Sequence, residues 1–264
     1  MKNIELNKDQ KIYFASDFHL GAPSHEESRK RELRIIDWLN YVQKDAQIIF
    51  FVGDIFDFWY EYKKVVPKGF VRIQGKIAEL ADKGIKIYFF LGNHDMWMKQ
   101  YFTEEIGVVM IKDELKIQID GKTFYISHGD GLGPGDYGYK FIKRVFRNRI
   151  CQFLFSCIHP GIGIPLANFF SNRSRSHNNK EDAYSNKENE WLYQFCKEKL
   201  KQEHFDYFIF GHRHLPMHLN IQSSNYINLG EWMHYQTYAV FEQNSTRLLE
   251  WKDGHSEPFN GIQK

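Results

Sequence analysis

A chain of 264 residues, 42% hydrophobic and 26% charged, has the composition of an ordinary globular domain, which excludes a disordered or fibrous protein. The formal net charge of +2 does not by itself indicate a polyanionic partner. The three cysteines form no CxxC pair, so a disulfide framework and a zinc knuckle are not expected, and a reducing cytoplasm fits best.

The first half of the chain alternates apolar runs with stretches of helical periodicity. Residues 11–19 form a predicted strand, and Ser28 is the predicted cap of a helix whose buried face includes Leu33. Two further strands are predicted, at 48–53 and from residue 86 onwards, with a helix at 70–80 between them. This alternation indicates parallel strands joined by crossover helices.

The second half is predicted to be richer in antiparallel strands. A hairpin is predicted at 115–127, turning at Asp120-Gly121, because its apolar residues alternate strictly. A helix follows from Trp191, and 205–211 is a predicted core strand. Three short antiparallel strands are expected to close a second sheet, at 226–230, 237–241 and 247–251.

Five of the apolar runs stop on residues that commonly bind metals. Residues 48–52 show no alternation, which is typical of a strand buried on both faces, and they end at Gly53-Asp54. The other four runs end at Asp17-Phe18-His19, Gly92-Asn93-His94-Asp95, His128-Gly129-Asp130 and Gly211-His212-Arg213-His214. Strand ends line the ligand crevice of an open α/β sheet, so we expect the five to converge. In extended backbone, Asp17 and His19 would point the same way.

The side chains at these strand ends offer imidazole and oxygen donors and no sulfur. They are Asp17, His19, Asp54, Asn93, His128, His212 and His214. Such donors suit manganese, iron, zinc or magnesium. Two metal ions about 3.5–4 Å apart need a bridging carboxylate, and Asp54 is the predicted bridge. The alternative is that each residue is an ordinary polar group at a strand end.

The ordered motifs Asp-x-His, Gly-Asp-x-x-Asp, Gly-Asn-His-Asp, His-Gly-Asp and Gly-His-x-His span residues 17–214 and resemble those of the calcineurin-like metallophosphoesterases. The resemblance implies an α/β fold, a two-sheet metallophosphoesterase sandwich flanked by helices. It also implies two divalent metal ions, with Mn²⁺ the first candidate, and attack on phosphorus by a metal-activated hydroxide. The implied ligands are Asp17, His19, Asp54 and His214 for one ion and Asp54, Asn93, His128 and His212 for the other.

His94 lies outside the implied ligand set and is the predicted general acid or transition-state donor. Its intrinsic pKa suits proton transfer near neutrality. Asp95 is predicted to orient it. Asp57 has two open interpretations, either as a residue that supports a ligand or as a plain polar group at a strand end.

Residues 137–180 carry eight cationic and no acidic side chains. Aromatic and aliphatic residues from Phe141 to Phe155 recur near helical spacing beside these cations, a pattern suited to an anionic lipid surface. The stretch 150–172 contains no Asp, Glu, Lys or Arg and is long enough to span a bilayer. Its sequence Pro160-Gly-Ile-Gly-Ile-Pro165 instead predicts two short helices joined by a turn, because proline and glycine interrupt a helix. The alternative is a helical hairpin whose aromatic residues pack on the main domain.

Within the family, the chain is similar to the UDP-2,3-diacylglucosamine hydrolases of the lipid A pathway. The similarity is carried by Gly53-Asp-Ile-Phe, His128-Gly-Asp-Gly-Leu and Leu229-Gly230-x-Trp232. It implies a single domain over 1–264 with a helical basic lid insertion at about 134–180. The implied substrate contacts are Asn93, His94, Asp136, Tyr139, Arg173 and Ser176. The best-known members carry Arg at the position of His94, whereas phosphoesterases of broader specificity carry His.

The resemblance implies hydrolysis of the pyrophosphate bond of UDP-2,3-diacylglucosamine to UMP and 2,3-diacylglucosamine 1-phosphate. The expected location is cytoplasmic, at the surface of the inner membrane. One alternative is a metallophosphoesterase of other or broader specificity, acting on nucleotides or phosphomonoesters, and another is a non-catalytic binding module. No nucleic-acid partner is expected, because the aromatic residues recur at helical spacing rather than on strands. The sequence predicts no particular oligomeric state.

Overall fold

Two β-sheets packed face to face form the body of the protein, and helices cover their outer surfaces. The computed structural model describes residues 2–133, 137–167 and 190–263. The strands are β1 Lys2–Ile4, β2 Lys11–Ala15, β3 Ala46–Phe51, β4 Lys86–Phe90, β5 Val109–Ile111, β6 Glu114–Ile119, β7 Lys122–Ser127, β8 Tyr207–Phe210, β9 Met217–Ile221, β10 Ser224–Asn228, β11 Thr237–Glu242, β12 Ser245–Lys252, β13 His255–Pro258 and β14 Ile262–Gln263. The helices are α1 His25–Val42, α2 Val71–Asp82, α3 Tyr101–Ile106, α4 Tyr137–Arg147, α5 Arg149–Ser156, α6 160–167 and α7 Trp191–Leu200.

The first sheet has the strand order β13-β12-β11-β2-β3-β4-β5. Strands β2 to β5 are parallel and are joined by α1, α2 and α3, while β11 and β12 add antiparallel strands beyond β2. Because the parallel strands run in one direction, the loops after β2, β3 and β4 leave the sheet at the same edge.

The second sheet has the order β1-β6-β7-β8-β10-β9-β14. The predicted hairpin is confirmed, since β6 and β7 pair antiparallel around a turn in which Asp120 has a φ of 46°. Strands β7 and β8 are parallel, so the loops that follow them also leave at a common edge. The predicted two-sheet α/β sandwich flanked by helices is confirmed.

The apolar core lies in three layers: between α1–α3 and the first sheet, between the two sheets, and between the second sheet and α7. The layer between the sheets is aromatic. The ring of Phe14 stacks on Phe50 with centroids 5.1 Å apart, and it meets Phe124 of the opposite sheet at 6.0 Å. Such contacts fix the spacing between the sheets, because close-packed interiors tolerate little change in volume.

Helix α1 begins earlier than the sequence predicted. Its cap is Ser24, whose hydroxyl accepts a hydrogen bond from the Glu27 amide at 3.2 Å, rather than Ser28. The hydroxyl of Ser28 instead accepts a hydrogen bond from the Gly21 amide at 2.7 Å. Leu33 is 49% exposed, so its predicted burial was wrong. The buried face of α1 is rotated because it includes polar residues that serve the loop after β2.

The three predicted C-terminal strands do not close one sheet, as the sequence suggested, because they are divided between the two sheets. Strand β10 lies in the second sheet and pairs parallel with β8, whereas β11 and β12 lie in the first sheet and are antiparallel. The chain crosses from one sheet to the other after β10. Alternation of apolar residues reports burial on one face, but it does not report which sheet a strand joins.

Helices α4, α5 and α6, which we call the helical segment (residues 137–167), lie against the loops at the edge of both sheets. The indole nitrogen of Trp97 donates to the Phe146 carbonyl at 2.7 Å, and the hydroxyl of Tyr60 donates to the Gln152 carbonyl at 2.7 Å. The side chain of Arg147 forms an ion pair with Asp113. Among the described helices, none combines the length and the apolar character needed to cross a membrane.

We predict that Phe50→Ala lowers the free energy of unfolding by about 3–5 kcal/mol, because it opens a cavity between Phe14 and Tyr88 in the layer between the sheets. Urea unfolding followed by fluorescence measures the change. The matched control is Phe141→Ala in α4, where the ring is 64% exposed and the change should stay within about 0.5 kcal/mol. Equal losses in both variants would contradict the core position of Phe50.

Candidate metal centre

The five strand ends predicted to converge do so at the common edge of the two sheets. Asp17 and His19 follow β2, Asp54 follows β3, and His214 follows β8. One potential ligand atom from each of these four residues lies within 4.8 Å of the others. The predicted first set of ligands is therefore gathered in one place, with three members from the first sheet and one from the second.

A second group shares Asp54 with the first. Asp54, His128 and His212 also bring one ligand atom each within 4.8 Å of one another. The Nε2 atom of His128 lies 3.3 Å from Asp54 Oδ2 and 3.2 Å from Asn93 Oδ1. Asp54 is thus the common member of two adjacent groups, which is where a bridging carboxylate has to lie.

Most of these residues have left-handed backbone rather than the extended backbone expected from the sequence. The φ angles are 54° at Asp17, 44° at His19, 53° at Asp54, 66° at His212 and 54° at His214. A non-glycine residue with positive φ is uncommon, and such strain persists where the surrounding structure holds it in place. The side chains converge because the chain turns sharply at each strand end.

The arrangement of polar atoms fits bound divalent cations. The Oδ2 atom of Asp54 is buried and has no hydrogen-bond partner among the described residues. The Nδ1 atom of His128 lies 2.8 Å from the Val52 carbonyl, which turns its Nε2 atom toward Asp54. The Nε2 atoms of His19 and His214 approach to 3.0 Å. Buried imidazole nitrogens and carboxylate oxygens gathered this closely are the donor types that would enclose a divalent cation.

The carboxylates of this cluster are held in their anionic form. Burial alone raises the pKa of Asp17, but hydrogen bonds from His19 and His214 hold it well below its usual range. Burial lowers the pKa of His19, yet its contacts with Asp17 and Asp57 raise it to about 10. Burial and the charge of His128 lower the pKa of His212 to about 3.

His94 lies beside the metal-binding cluster, and its ring contacts Asp57. Its ring centroid is 4.9 Å from that of His19. Its Nδ1 atom lies 3.0 Å from the backbone carbonyl of Asp57 and 3.6 Å from the Asp57 carboxylate. Asp57 also lies 3.7 Å from Nδ1 of His19, so it supports two imidazoles. His19, Asp57 and His94 form a third group close enough to hold a cation.

The contacts found for Asp95 are with backbone amides, whereas the contact found for Nδ1 of His94 is with Asp57. Its oxygens accept hydrogen bonds from the amides of Gly92 at 2.8 Å, Ile55 at 2.8 Å and Phe56 at 3.4 Å. These contacts join the loop after β4 to the loop after β3. Burial and the charge of Asp54 raise the pKa of Asp95 to about 7.

Three of the predicted substrate contacts, Asp136, Arg173 and Ser176, lie outside the described residues. Tyr139 lies in α4, with its ring centroid 6.2 Å from that of His212. Its hydroxyl donates to Asp130 Oδ2 at 2.6 Å, and Lys143 forms an ion pair with the same oxygen at 2.5 Å. Helix α4 is therefore tied to the loop that carries His128.

Two buried charged residues support the ligand loops and were not predicted. The guanidinium of Arg31, on α1, donates to the carbonyls of Phe18 at 2.6 Å, His19 at 2.6 Å and Ala22 at 2.5 Å. Glu190 accepts a hydrogen bond from Arg213, between His212 and His214, at 3.1 Å. A charged residue at a core-facing helical position was the available signal for Arg31, but spacing alone does not reveal its partner.

Glycine is required at two of the strand ends because the backbone approaches a carboxylate. A Cβ atom at Gly92 would overlap the Asp54 carboxylate, and one at Gly211 would overlap that of Asp17. The Gly-Asn-His-Asp and Gly-His-x-His motifs thus begin with glycine because a side chain there would displace a carboxylate of the site.

The chain belongs to the calcineurin-like phosphoesterases, since the model of that family matches residues 10–216. The predicted family is confirmed, and the protein is a metal-dependent phosphoesterase with a buried His/Asp cluster suited to two metal ions. Among its relatives is a UDP-2,3-diacylglucosamine hydrolase of Porphyromonas gingivalis, 39% identical over 254 residues that cover 91% of this chain and 97% of the relative. The protein of that name from Haemophilus influenzae is 26% identical over 223 residues, covering 83% and 90%.

Solved structures also resemble the chain at low sequence identity. A predicted phosphoesterase from Streptococcus pneumoniae has a TM-score of 0.46 and 12% identity, with 96% of this chain and 94% of that chain covered.

We predict that Gly92→Ala lowers the bound metal from about two ions per chain toward one or none, because the added methyl group displaces Asp54, the residue common to both groups. Metal analysis after loading with Mn²⁺ and desalting measures the change. Gly75→Ala is the matched control, because Gly75 lies in α2 with open space around it and alanine favours a helix. Full metal content in the Gly92 variant would contradict this account of the loop.

Proposed function

We propose that the protein hydrolyses the pyrophosphate bond of UDP-2,3-diacylglucosamine, releasing UMP and 2,3-diacylglucosamine 1-phosphate. The relative with 39% identity over almost its entire length is named a UDP-2,3-diacylglucosamine hydrolase. The structural observation that carries the proposal is a cationic helical segment beside the metal centre whose apolar side chains are exposed. A water-soluble phosphoester has no need of such a surface, whereas a substrate with two acyl chains does.

The helical segment has several apolar side chains that are strongly exposed. Those more than 60% exposed are Tyr137 (81%), Phe141 (64%), Ile150 (69%), Phe153 (66%), Leu154 (61%) and Ile162 (64%). Two other aromatic residues of the segment contact Trp97: the half-buried Phe155, with ring centroids 4.8 Å apart, and the partly exposed Phe146, at 5.4 Å. The segment is therefore fixed by one set of rings and presents a second set, as a lid over about 134–180 that holds acyl chains would.

We propose that Asp17, His19, Asp54 and His214 hold one divalent cation and Asp54, Asn93, His128 and His212 the other. Manganese is our first candidate, and iron, zinc and magnesium suit the same donors. Bound there, the two cations lower the pKa of water and neutralise phosphate charge. The residues of the chain fix the direction of the lone pairs: the Val52 carbonyl holds the ring of His128, and Asp57 contacts that of His19.

His94 is proposed as the residue that supplies a proton or positive charge to the departing phosphate oxygen. When the ring is protonated, Nδ1 donates to the Asp57 carbonyl and Nε2 keeps a second proton for the substrate. Burial lowers the pKa of His94, and the charges of Asp54 and Asp57 oppose that effect. Asp57, rather than Asp95, holds this ring in place.

His94 also favours the second candidate function, a metallophosphoesterase of broader specificity. Arginine occupies this position in the best-known lipid-nucleotide hydrolases, and an arginine can stabilise charge but cannot donate a proton near pH 7. A histidine can serve leaving groups of differing basicity. Kinetics on two kinds of substrate separates the two candidates.

We place the protein in the cytoplasm at the surface of the inner membrane, where a substrate with two acyl chains resides. Lys140 and Arg144 lie on α4, and Arg149 begins α5, so cations accompany the apolar surface. Such a combination binds anionic lipid head groups while its apolar side chains enter the acyl region.

The test of the substrate uses Phe153→Ser/Leu154→Ser. We expect kcat/KM on UDP-2,3-diacylglucosamine to fall about tenfold or more, because burial of either side chain against an acyl chain is worth about 1.5–3 kcal/mol. Turnover of bis(p-nitrophenyl) phosphate should stay unchanged. The control is Leu33→Ser/Tyr41→Ser, two exposed residues of α1. Equal turnover of both substrates by the wild type, insensitive to the Phe153/Leu154 change, would support the broader phosphoesterase instead.

The test of His94 compares leaving groups. We expect His94→Ala to lower kcat on the pyrophosphate substrate by about 10²–10³-fold, because proton transfer contributes on that order, with metal content unchanged. On a p-nitrophenyl ester the loss should be smaller, because p-nitrophenolate leaves without a proton. His94→Arg serves as the matched charged variant. Equal losses on both substrates would show that His94 acts through charge alone.

A further inference from the structure

A short surface segment outside the helical segment has the same combination of charge and apolar exposure. Residues 63–72, from the loop after β3 to the first two residues of α2, carry Lys63, Lys64, Lys68 and Arg72, and no Asp or Glu occurs from 62 to 78. All four cationic residues are exposed. Val65 is 50% exposed and Val71 is 74% exposed, the highest exposure of any aliphatic residue outside the helical segment in the described chain.

The backbone of residues 63–72 is held in place from within. The Tyr62 amide donates to the Val65 carbonyl at 3.1 Å, and Pro67 is buried. The ring of Phe70 turns inward and lies 5.0 Å from that of Phe56. Val65, in the loop, and Val71, at the start of α2, are therefore exposed on a backbone that the inward-facing Phe70 anchors.

The four cationic side chains are not neutralised by neighbouring carboxylates. Over the ranges 2–133, 137–167 and 190–263, no ion pair of the structure includes Lys63, Lys64, Lys68 or Arg72. By contrast Lys76, one turn further along α2, is buried and paired with Glu79 at 3.1 Å. The positive charge of residues 63–72 is thus available to a partner.

This surface continues directly into the helical segment. The hydroxyl of Tyr60 donates to the Gln152 carbonyl at 2.7 Å, and its ring lies 4.8 Å from that of Phe155. The hydroxyl of Tyr62 lies against α6, because a Cβ atom built on Gly163 would come within 2.9 Å of it. Residues 60–62 therefore join residues 63–72 to the helical segment.

We propose that residues 63–72 form a second contact with an anionic bilayer, beside the helical segment, with Lys63, Lys64, Lys68 and Arg72 at the head groups and Val65 and Val71 entering the interface. The inference rests on the proposed function, which brings the enzyme to a lipid-borne substrate. Two contacts orient the protein, whereas one alone leaves it free to tilt. Nucleic acid fits less well, because exposed valines offer nothing to phosphates and the aromatic residue of this turn faces inward.

The experiment measures sedimentation of the full-length, metal-loaded protein with vesicles of phosphatidylethanolamine and phosphatidylglycerol. We expect Lys63→Ala/Lys64→Ala/Lys68→Ala to weaken binding about a hundredfold, since each cation near an anionic surface contributes roughly a factor of five. The matched control is Lys8→Ala/Lys44→Ala/Lys201→Ala. These three exposed lysines precede β2, β3 and β8 and so lie at the opposite edge of the sheets. Equal weakening of vesicle binding in both triple variants would overturn the proposal, because it would show that binding depends on the net charge of the protein and not on residues 63–72.

A second variant tests the apolar part. Val65→Ser/Val71→Ser keeps the charge, and we expect it to weaken binding to the same vesicles about tenfold and to leave the remaining binding more sensitive to salt. Unchanged binding overturns the proposal, as does a preference of the wild type for duplex DNA over vesicles that is lost in the lysine variant.

Hydrolysis in detergent micelles separates this inference from the proposed function. Wild-type protein that cleaves UDP-2,3-diacylglucosamine in micelles but does not sediment with vesicles overturns the membrane contact alone. Protein whose vesicle binding depends on residues 63–72 but which does not cleave the lipid nucleotide supports the contact and overturns the proposed substrate. Both variants should retain wild-type rates in micelles, because the altered residues lie outside the metal centre.

Discussion

The structure depends on one carboxylate, that of Asp54, because it belongs to both groups of metal-binding side chains. Its Oδ1 accepts a hydrogen bond from the His94 amide at 2.9 Å, while its buried Oδ2 has no such partner in the described part of the chain. A buried anionic oxygen without a hydrogen bond costs free energy unless a cation compensates for it. The left-handed backbone at Asp54, the lack of a side chain at Gly92 and the contacts of Asp95 all keep that oxygen in position.

The motifs indicated which side chains the fold gathers at the candidate metal centre. They could do so because a sequence displays both the type of each residue and its place at the end of an apolar strand. Periodicity likewise predicted the parallel strands and the hairpin at 115–127. The orientation of each side chain was less accessible. The sequence suggested extended backbone at Asp17 and His19, whereas both are left-handed, and it paired His94 with Asp95, whereas Asp57 contacts it. Such details depend on contacts between loops that are distant in sequence.

The helical segment illustrates the same limit. Its amphipathic spacing was visible, but spacing alone left open whether the aromatic residues pack or are displayed. The structure shows both: Phe146 and Phe155 pack around Trp97, while Phe153 and Leu154 remain exposed. The contacts also reach two sides of the metal centre, because Trp97 follows the loop of Asn93 and His94, and Asp130 follows His128. The segment that presents apolar side chains is thus braced against both loops.

The division of donors between the sheets has a consequence for biosynthesis. Asp17, His19, Asp54 and Asn93 follow strands of the first sheet, and His128, His212 and His214 follow strands of the second, so each of the two proposed ligand sets includes residues from both. The last two histidines lie beyond residue 210 of a chain of 264 residues. A growing polypeptide on the ribosome therefore lacks a complete coordination sphere until most of its length has emerged. An ion that needs donors from both sheets would therefore bind only late in maturation, after the two sheets have docked.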